Sequence, residues 1–452
     1  AWKAEHTATE AKSDAELHQY NGRDCAVTYI CASRVFRSVR DRDQLKVYKV
    51  DDELQGLCVQ MKRLGMPIDE RRRLEHLEEQ EARRERWRQV ILRRTPNLNP
   101  ASPTQIRELL FHRWQLPPLE FTEAGEPSTG DSALRGLIAN PLVDAEQKRY
   151  LQAVRLYRRA SKLITTYLVP MEEKVQNGWI HADYNVHGTS SGRFSSSNPN
   201  FQNVPYTLRD IFCAPPGYRF VYADMDQLEL RLAAALAGAT MYLKSFAGEI
   251  PIEPHGITGQ AMFGNDYWEI DGAPSDRTKK GKGQFKNARD LAKTLCYASL
   301  YAASPTTIHR ALTKAEDADG NLLYAHYTVR KVAALHRRWK RGAPEFEEWW
   351  QRELHNWRAR GYVLDPVLGR RRDFADGEDL SAIVNFPCQA GGFGVVALGL
   401  LDLNKRIKPH WGDRTGLVNQ THDSVLYLVK EEDAQEVGQI VEECLTRTVL
   451  GV

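Results

Sequence analysis

Two aspartates stand where short apolar segments end, and their carboxylates could bind metal ions. Asp224 follows segment 218–223, a predicted strand, and Asp423 interrupts the alternating segment 417–429, a predicted hairpin. Carboxylates on two neighbouring strand ends can hold two Mg²⁺ ions about 3.5–4 Å apart, because hard cations prefer oxygen ligands. Such a pair would activate an attacking hydroxyl and neutralise a leaving phosphate. Either aspartate taken alone is more often a turn or capping residue.

A helix predicted over residues 285–301 carries two cations followed by two aromatic rings. Arg289, Lys293 and Tyr297 are four residues apart, and each step drifts only about 40° around the helix, so they share one face. Tyr301 lies four residues further on. Over about 18 Å this pattern matches a triphosphate followed by a base, since cations bind phosphate oxygens and rings stack on bases. An amphipathic helix with solvated ends and core tyrosines would give the same pattern.

Length and composition place these residues in a folded chain of several lobes. The chain has 452 residues, and about 150 residues per domain predicts three domains. With 42% hydrophobic residues and a net charge of only +3, a disordered chain is excluded. No apolar run approaches the roughly 18–20 residues of a membrane span, so we expect no membrane association. The seven cysteines form no CxxC pair, which argues against a structural zinc site or a disulfide framework.

The elements that would position the candidate residues are mostly helices. Helical periodicity predicts these segments: 12–37, 52–65, 69–94, 106–114, 144–173, 228–236, 285–301, 327–360 and 431–448. Strands are predicted at 179–184, at 218–223 and within 417–429. Positive charge concentrates in 277–293 and in the Arg-rich helix 69–94. That helix is either solvated and joined by i,i+4 ion pairs, or it lies near a phosphate backbone.

Three segments together resemble motifs A, B and C of family A DNA polymerases, the class of bacterial DNA polymerase I and many phage replicases. The pattern D-x-x-Q-x-E-L-R begins at Asp224, the pattern R-x3-K-x3-[FY]-x3-Y begins at Arg289, and motif C is His422-Asp423. Residues 189–205 resemble the family signature TGRLSSxxPNLQNIP, and Asn385 begins a segment similar to NxPxQGT. The motifs follow the family order over nearly the whole chain.

The resemblance implies an α+β, right-hand polymerase fold, mostly helical with an antiparallel palm sheet. The implied ranges are 1–45 for a C-terminal remnant of a 3′–5′ exonuclease-like domain, 46–175 for the thumb and its connection to the palm, 176–240 for the palm with motif A, 241–370 for the fingers with motif B, and 371–452 for the palm with motif C. The implied activity is that of a DNA-directed DNA polymerase in replication or repair. It would add dNMPs to a primer 3′ hydroxyl by two-metal-ion phosphoryl transfer.

The same resemblance gives roles to single residues. Asp224 and Asp423 would bind two Mg²⁺ ions, with Mn²⁺ as a substitute, and Lys293 would donate a proton to the leaving pyrophosphate. The residues implied to bind the incoming dNTP are Arg289, Lys293, Tyr297, Tyr301, His255, Glu229 and Gln227. The residues implied to contact primer-template DNA are Arg193, Gln202, Asn203, Asn385, Gln389 and His422. Arg193 and Gln389 would lie on the minor-groove side, where acceptors common to all base pairs allow pair shape to be tested.

Two of these residues bear on substrate choice. Glu229 matches the family's steric gate, which packs where a ribose 2′ hydroxyl would lie; an exposed helix acid is the alternative interpretation. Tyr297 stands where family members carry Phe or Tyr. A phenol hydroxyl there can replace a missing 3′ hydroxyl, so we expect ready incorporation of dideoxynucleotides.

The chain departs from the family pattern in three places. Motif C usually reads His-Asp-Glu but here ends in Ser424, as in single-subunit RNA polymerases. Motif B usually ends Tyr-Gly, whereas Ala302 follows Tyr301 and restricts the positive φ that glycine permits. The chain stops at Val452, so we expect a shortened last palm segment. The alternatives are a single-subunit RNA polymerase-like enzyme, which Glu229 argues against, and a catalytically silent polymerase-like DNA-binding module.

The first residues resemble the end of an exonuclease domain. Tyr20 and Asp24 have the Tyr-x3-Asp spacing of the family's third exonuclease motif, and this spacing places both on one helix face, as it would in a plain helix pair. The chain begins at Ala1 rather than Met, which suggests a fragment or a processed product. No acidic motif from an earlier sheet precedes Tyr20, so we expect no proofreading.

The expected setting follows from the same observations. The cysteine pattern fits a reducing compartment, and the resemblance points to the cytoplasm of a bacterial or phage-infected cell, with an organelle left open. We expect a monomer that binds primer-template DNA and dNTPs. A processivity factor, the fidelity and reverse transcription are not determined by these residues.

Overall fold

The computed structural model describes residues 13–269, 286–317, 322–324, 326–375, 380–407, 412 and 414–446. In this part of the chain, helices surround small antiparallel sheets, as an α+β fold requires. The helices of the first 175 residues are α1 (Asp14–Asp41), α2 (Leu45–Leu64), α3 (Glu70–Arg94), α4 (Pro103–Arg107), α5 (Asp131–Ala139), α6 (Ala145–Lys162) and α7 (Val169–Glu172). The later helices are α8 (Leu228–Ala237), α9 (Thr240–Phe246), α10 (Pro254–Phe263), α11 (Lys286–Leu300), α12 (Pro305–Leu312), α13 (Val329–Gly342), α14 (Pro344–Arg360), α15 (Leu380–Ile407) and α16 (Ala434–Leu445).

The strands form four small sheets in the described residues. They are β1 (Met66–Pro67), β2 (Val175–Gln176), β3 (Trp179–Ile180), β4 (Asp183–Asn185), β5 (Ser195–Ser197), β6 (Tyr218–Asp224), β7 (Tyr362–Leu364), β8 (Arg371–Asp373), β9 (Gly416–Thr421) and β10 (Ser424–Lys430). The largest strands form an antiparallel sheet in the order β6-β10-β9. In its register Ser424 lies opposite Asp224 and Lys430 lies opposite Tyr218. The predicted strand 218–223 and the predicted hairpin 417–429 are therefore confirmed.

Two predicted elements are divided in the structure. Segment 179–184, expected as one strand, contributes β3 to a sheet with β1 and β2 and contributes β4 to a separate pair with β5. Helix 327–360 is broken into α13 and α14 at Ala343, which has φ −145° and ψ 64°. The break occurs there because Pro344 disfavours the α conformation in the residue before it.

Many of the charged side chains of α3 form ion pairs within the helix. Ion pairs of neighbouring turns join Arg71 to Glu75 and Arg83 to Glu79. Arg73 also pairs with Glu70 on the preceding turn, but unlike the others its side chain is buried, and its Nη1 donates to the carbonyl of Leu168 at 2.7 Å. These contacts favour the solvated, ion-paired interpretation of the Arg-rich helix over a role at a phosphate backbone.

Helix α15 is the central core helix and was not predicted from the sequence. It continues through Pro387 and packs against α2, α8, α14 and α16. Glycines allow the close approach: a Cβ atom on Gly391 would lie 2.8 Å from Leu232 Cδ2 and 2.9 Å from Pro366 Cδ. The sheet that carries Asp224 packs against α2 through β9 and against α16 through β6, and α15 contacts both of these helices within the same buried apolar cluster.

By length and composition alone, α15 could cross a membrane. An 18-residue window has a mean hydropathy of 1.5, so the expectation that no apolar run approaches a membrane span is wrong. However, 83% of that window is buried inside the protein, as in the core helix of a folded domain. One such helix is weak support for membrane insertion.

A cluster of ion pairs joins the helices predicted as the thumb to the segment after α12. Glu316, whose side chain is 11% exposed, lies 3.3 Å from Arg135 and 3.5 Å from Arg159, and it also pairs with Arg155. Arg135 Nη1 further donates to the carbonyl of Thr313 at 3.3 Å. One carboxylate therefore connects residues that are about 160–180 positions apart in the chain.

Burial of His336 makes the stability of the fold depend on pH. Desolvation lowers its pKa from 6.5 to about 4, and its ring stacks on Trp339. The unfolded chain therefore binds more protons than the folded one, and stability is lost as the pH falls from about 6.5 towards 4. This residue contributes up to about 3 kcal/mol of that loss.

We expect His336→Leu to reduce the loss of stability between pH 7 and pH 4, because the variant has no ring to protonate on unfolding. Urea unfolding at a series of pH values measures this difference. His355→Leu, at an exposed position on α14, is the matched control and should keep the original profile. Equal acid sensitivity of the His336 variant and the unchanged protein would contradict the prediction.

Candidate active site

The two aspartates predicted from strand ends lie side by side. Asp224 is the last residue of β6, and Asp423 lies in the tight turn between β9 and β10, next to His422, which has φ 56°. The backbone N–H of Met225 donates to the carbonyl of Asp423 at 3.3 Å and closes this end of the sheet. Because β6 and β10 are paired, the two carboxylates lie at the same end of the sheet.

The electrostatics of the pair fit a divalent cation. Burial raises the pKa of Asp423, and the neighbouring charges of Asp224 and Glu229 raise it further. Two carboxylates held together repel each other, and a hard cation with oxygen ligands removes that cost. Within the described ranges, no three His, Cys, Asp or Glu side chains form a metal-binding group.

Glu229 of motif A contacts residues of two other motifs, Arg193 and Tyr301. It lies in the first turn of α8 and forms an ion pair with Arg193, which belongs to the segment that resembles TGRLSS. The Tyr301 hydroxyl donates to Glu229 Oε2 at 2.6 Å. Burial and neighbouring negative charge, including Glu229, raise the pKa of Tyr301 well above its usual range, so this hydroxyl stays a donor. The interpretation of Glu229 as a solvated helix acid is therefore wrong.

The predicted cationic face of α11 is present. Lys293 is exposed, and its Nζ lies 6.0 Å from the centre of the Tyr297 ring. Arg289 is paired with a carboxylate that the sequence did not indicate: its Nε lies 3.1 Å from Glu253 Oε1, and both side chains are mostly buried. His255 is fully buried, and its ring centre lies 5.7 Å from that of Tyr297. His255 is therefore buried against Tyr297, whereas Lys293 on the same helix as Tyr297 is exposed to solvent.

The residues predicted to contact DNA lie on separate elements. Gln202 donates to the carbonyl of Gln420 at 2.9 Å and so joins the signature segment to β9. Asn203 and His422 are exposed, the latter in the β9–β10 turn. Asn385 and Gln389 are half-buried in the first part of α15. No hydrogen bond or ion pair joins these side chains to one another in the described residues, and their role in DNA binding stays a prediction.

Other predicted features are remote from the site or outside the described residues. Tyr20 and Asp24 hydrogen-bond on one face of α1, as their spacing predicts, but α1 has no buried residue. A ring contact of 5.8 Å between Phe36 and Tyr48 joins α1 to α2. Most of the basic segment 277–293 lies outside the described residues, which resume at 286.

Two residues near the site were missed from the sequence. Tyr222 donates a hydrogen bond to Asp224 Oδ2 at 2.9 Å, and its position two residues earlier on the same strand is a signal that could have indicated it. Glu253 lies two residues before His255, but its pairing with Arg289 follows from packing between α10 and α11 and has no sequence signal.

The comparisons with known proteins decide the family. The model of DNA polymerase family A matches residues 71–452. The chain belongs to DNA polymerase family A. Members of this family generally use divalent metal ions, in agreement with the carboxylate pair.

The chain is similar to only part of its longer relatives. It is 29% identical to thermostable DNA polymerase I of Thermus filiformis over 368 residues, which are 77% of this chain and 39% of that protein. It is 28% identical to DNA polymerase I of Aquifex aeolicus, with 77% of this chain and 54% of that protein covered. The chain therefore spans about two fifths to half of the length of these relatives.

A solved family A polymerase confirms the fold. The POL domain of Pol1 from M. smegmatis, in complex with DNA primer-template and dNTP, has a TM-score of 0.76 and 21% identity. The match covers 90% of this chain and 69% of that one. The predicted α+β polymerase fold is thus confirmed, whereas the five predicted ranges for thumb, palm, fingers and exonuclease remnant stay predictions.

Ala302, which stands where motif B usually has glycine, has a strained backbone conformation in this family A polymerase. Its φ is 54°, in the left-handed region where glycine is favoured and an alanine Cβ is strained by about 1–2 kcal/mol. The backbone at position 302 therefore has the left-handed conformation that a glycine would adopt without strain, although the Cβ atom of Ala302 disfavours it. Ala302 follows Tyr301 directly, so the strain is stored beside the Glu229 contact.

We expect Ala302→Gly to raise the free energy of unfolding by about 0.5–1 kcal/mol, because relief of the positive φ exceeds the entropy that glycine adds to the unfolded chain. Ala303→Gly is the matched control: glycine there adds that entropy without relieving a positive φ, so stability should fall. Chemical denaturation measures both variants. A loss of stability in Ala302→Gly would show that the residue is unstrained in solution.

Proposed function

We propose that this chain is the polymerase region of a DNA-directed DNA polymerase. It would add dNMPs to a primer 3′ hydroxyl by two-metal-ion phosphoryl transfer, in replication or repair. The observation that carries the proposal is the paired carboxylates of Asp224 and Asp423 beside Glu229, which Arg193 and Tyr301 hold in place. Family membership and the shared fold with a primer-template and dNTP complex support DNA and dNTPs as partners.

The residues divide the chemistry between them. Asp224 and Asp423 would hold two Mg²⁺ ions, with Mn²⁺ as a substitute, and bound ions would polarise the phosphate and the attacking hydroxyl. Arg289 and Lys293 would bind the triphosphate, and Lys293 would give a proton to the leaving pyrophosphate oxygen. Most of the rate enhancement would come from positioning and electrostatic stabilisation, because phosphoryl transfer needs little covalent participation by the protein.

Glu229 would exclude ribonucleotides. Its side chain is 23% exposed and is fixed by Arg193 on one oxygen and by Tyr301 on the other. A carboxylate held at both oxygens cannot rotate away from a ribose 2′ hydroxyl. This arrangement supports a DNA polymerase over a single-subunit RNA polymerase, although Ser424 is shared with the latter.

The cellular compartment and the oligomeric state are also part of the proposal. All seven cysteines are free thiols, and four of them are buried, which supports a reducing compartment such as the bacterial cytoplasm. We propose a monomer, and the test of that is its mass in solution with and without a primer-template. The dideoxynucleotide acceptance expected from Tyr297 also stays a prediction.

The central test is primer extension with Mg²⁺, a DNA template and either dNTPs or rNTPs. We expect extension with dNTPs, and we expect Asp224→Asn to reduce its rate by about 10³-fold or more, because the metal ions lose a ligand. Asp210→Asn, at an exposed carboxylate that pairs with His76, is the control and should keep the activity. Equal use of rNTPs would favour the RNA polymerase alternative, and no extension by the unchanged protein would favour a silent binding module.

We further expect Glu229→Ala to weaken the preference for dNTPs over rNTPs by about 10–100-fold, since the space for a 2′ hydroxyl opens. Glu229→Gln keeps the bulk of the side chain and should retain most of the preference. Single-nucleotide incorporation with matched dNTP and rNTP pairs gives both ratios. An unchanged ratio in the alanine variant would show that Glu229 is not the gate.

A further inference from the structure

Tyr222 contacts the carboxylate of Asp224 although no recognised motif includes it. The two residues are separated by one position on β6, so their side chains project to the same face of the sheet. The Tyr222 hydroxyl donates a hydrogen bond to Asp224 Oδ2 at 2.9 Å. No other hydrogen bond to Asp224 is present in the described residues, and Oδ1 is therefore left for a cation.

Ser424 completes the same face. It lies directly opposite Asp224 on β10, and facing residues of an antiparallel pair project to one side. Its hydroxyl donates to the carbonyl of Thr421 at 2.9 Å, and its position opposite Asp224 puts it on the face that carries Tyr222. The phenol of Tyr222 therefore adjoins the position where a motif C of the form His-Asp-Glu would bring a third carboxylate.

We propose that Tyr222 is a positioning residue that orients Asp224 for metal binding, in place of the carboxylate that Ser424 lacks. The inference rests on the proposed function, because it assigns a metal ion to Asp224.

A phenol and a carboxylate beside Asp224 differ in the charge that they add to the site. A third carboxylate would add repulsion to a site in which Asp224 and Asp423 already lie together. A phenol hydroxyl instead donates to Asp224 and restricts its rotation without adding charge. Because the Tyr222 side chain is 57% exposed, water competes for this bond, and the expected effect of its loss is moderate.

The test is Mn²⁺ binding by the nucleotide-free protein, with free Mn²⁺ measured by electron paramagnetic resonance. Tyr222→Phe keeps the ring and removes only the hydroxyl. We expect its Mn²⁺ dissociation constant to rise about three- to tenfold, and the Mg²⁺ concentration for half-maximal primer extension to rise in parallel. Tyr218→Phe, at the far end of the same strand opposite Lys430, is the control and should match the unchanged protein.

A double variant separates positioning from a general loss of structure. Ser424→Glu in the Tyr222→Phe background should restore Mn²⁺ affinity to at least that of the unchanged protein, because the new carboxylate adjoins Asp224 as a further oxygen ligand and the bound cation offsets the added repulsion. Unchanged Mn²⁺ affinity in Tyr222→Phe would overturn the proposal, and so would weakened affinity that Ser424→Glu does not restore. If Mn²⁺ binding responds as expected but no variant extends a primer, the positioning role stands and the proposed polymerase activity fails.

Discussion

The antiparallel pairing of β6 with β10 is the constraint on which the site depends. Its register puts Ser424 opposite Asp224 and brings the turn with Asp423 to the end of β6. A slip of one residue would turn every side chain of a strand to the other face of the sheet. Burial raises the pKa of Asp423 and the neighbouring charge of Asp224 raises it further, so the carboxylate pair does not stabilise the sheet and other contacts must hold it. Helices α2 and α16, which pack against β9 and β6, supply that support, and α15 packs against both of them.

Glu229 couples this sheet to the rest of the chain. The residue before α8, Gln227, has φ 56°, and this turn directs the helix away from the end of β6. The first turn of α8 then places Glu229 where Arg193 and Tyr301 reach it from two other segments. A single carboxylate therefore ties motif A to motif B and to the signature segment. Movement of α11 relative to the sheet must lengthen or break the bond from Tyr301.

Local patterns were predictable and long-range partners were not. Alternation and turn residues indicated β6 and the β9–β10 hairpin, and four-residue spacing indicated the face of α11. Helix α15 was missed because Pro387 and the polar residues Asn385 and Gln389 interrupt its apolar pattern. The partners of Glu316 and of Glu253 carry no sequence signal, since packing alone decides which distant arginine a carboxylate meets.

If Arg289 binds the triphosphate as proposed, its pairing with Glu253 would keep that site stable before the nucleotide arrives. A mostly buried guanidinium without a partner would cost several kcal/mol, and Glu253 removes that cost. In the described residues the contacts with Glu253 involve Nε and Nη2, and in the proposed function Nη1 would be the donor to a phosphate oxygen. Because a guanidinium offers five donors in one plane, Arg289 can keep Glu253 and bind phosphate together. A lysine offers three donors from a single nitrogen, whereas the guanidinium spreads five donors over three nitrogens, so an arginine would hold Glu253 and a phosphate oxygen at the same time with better geometry.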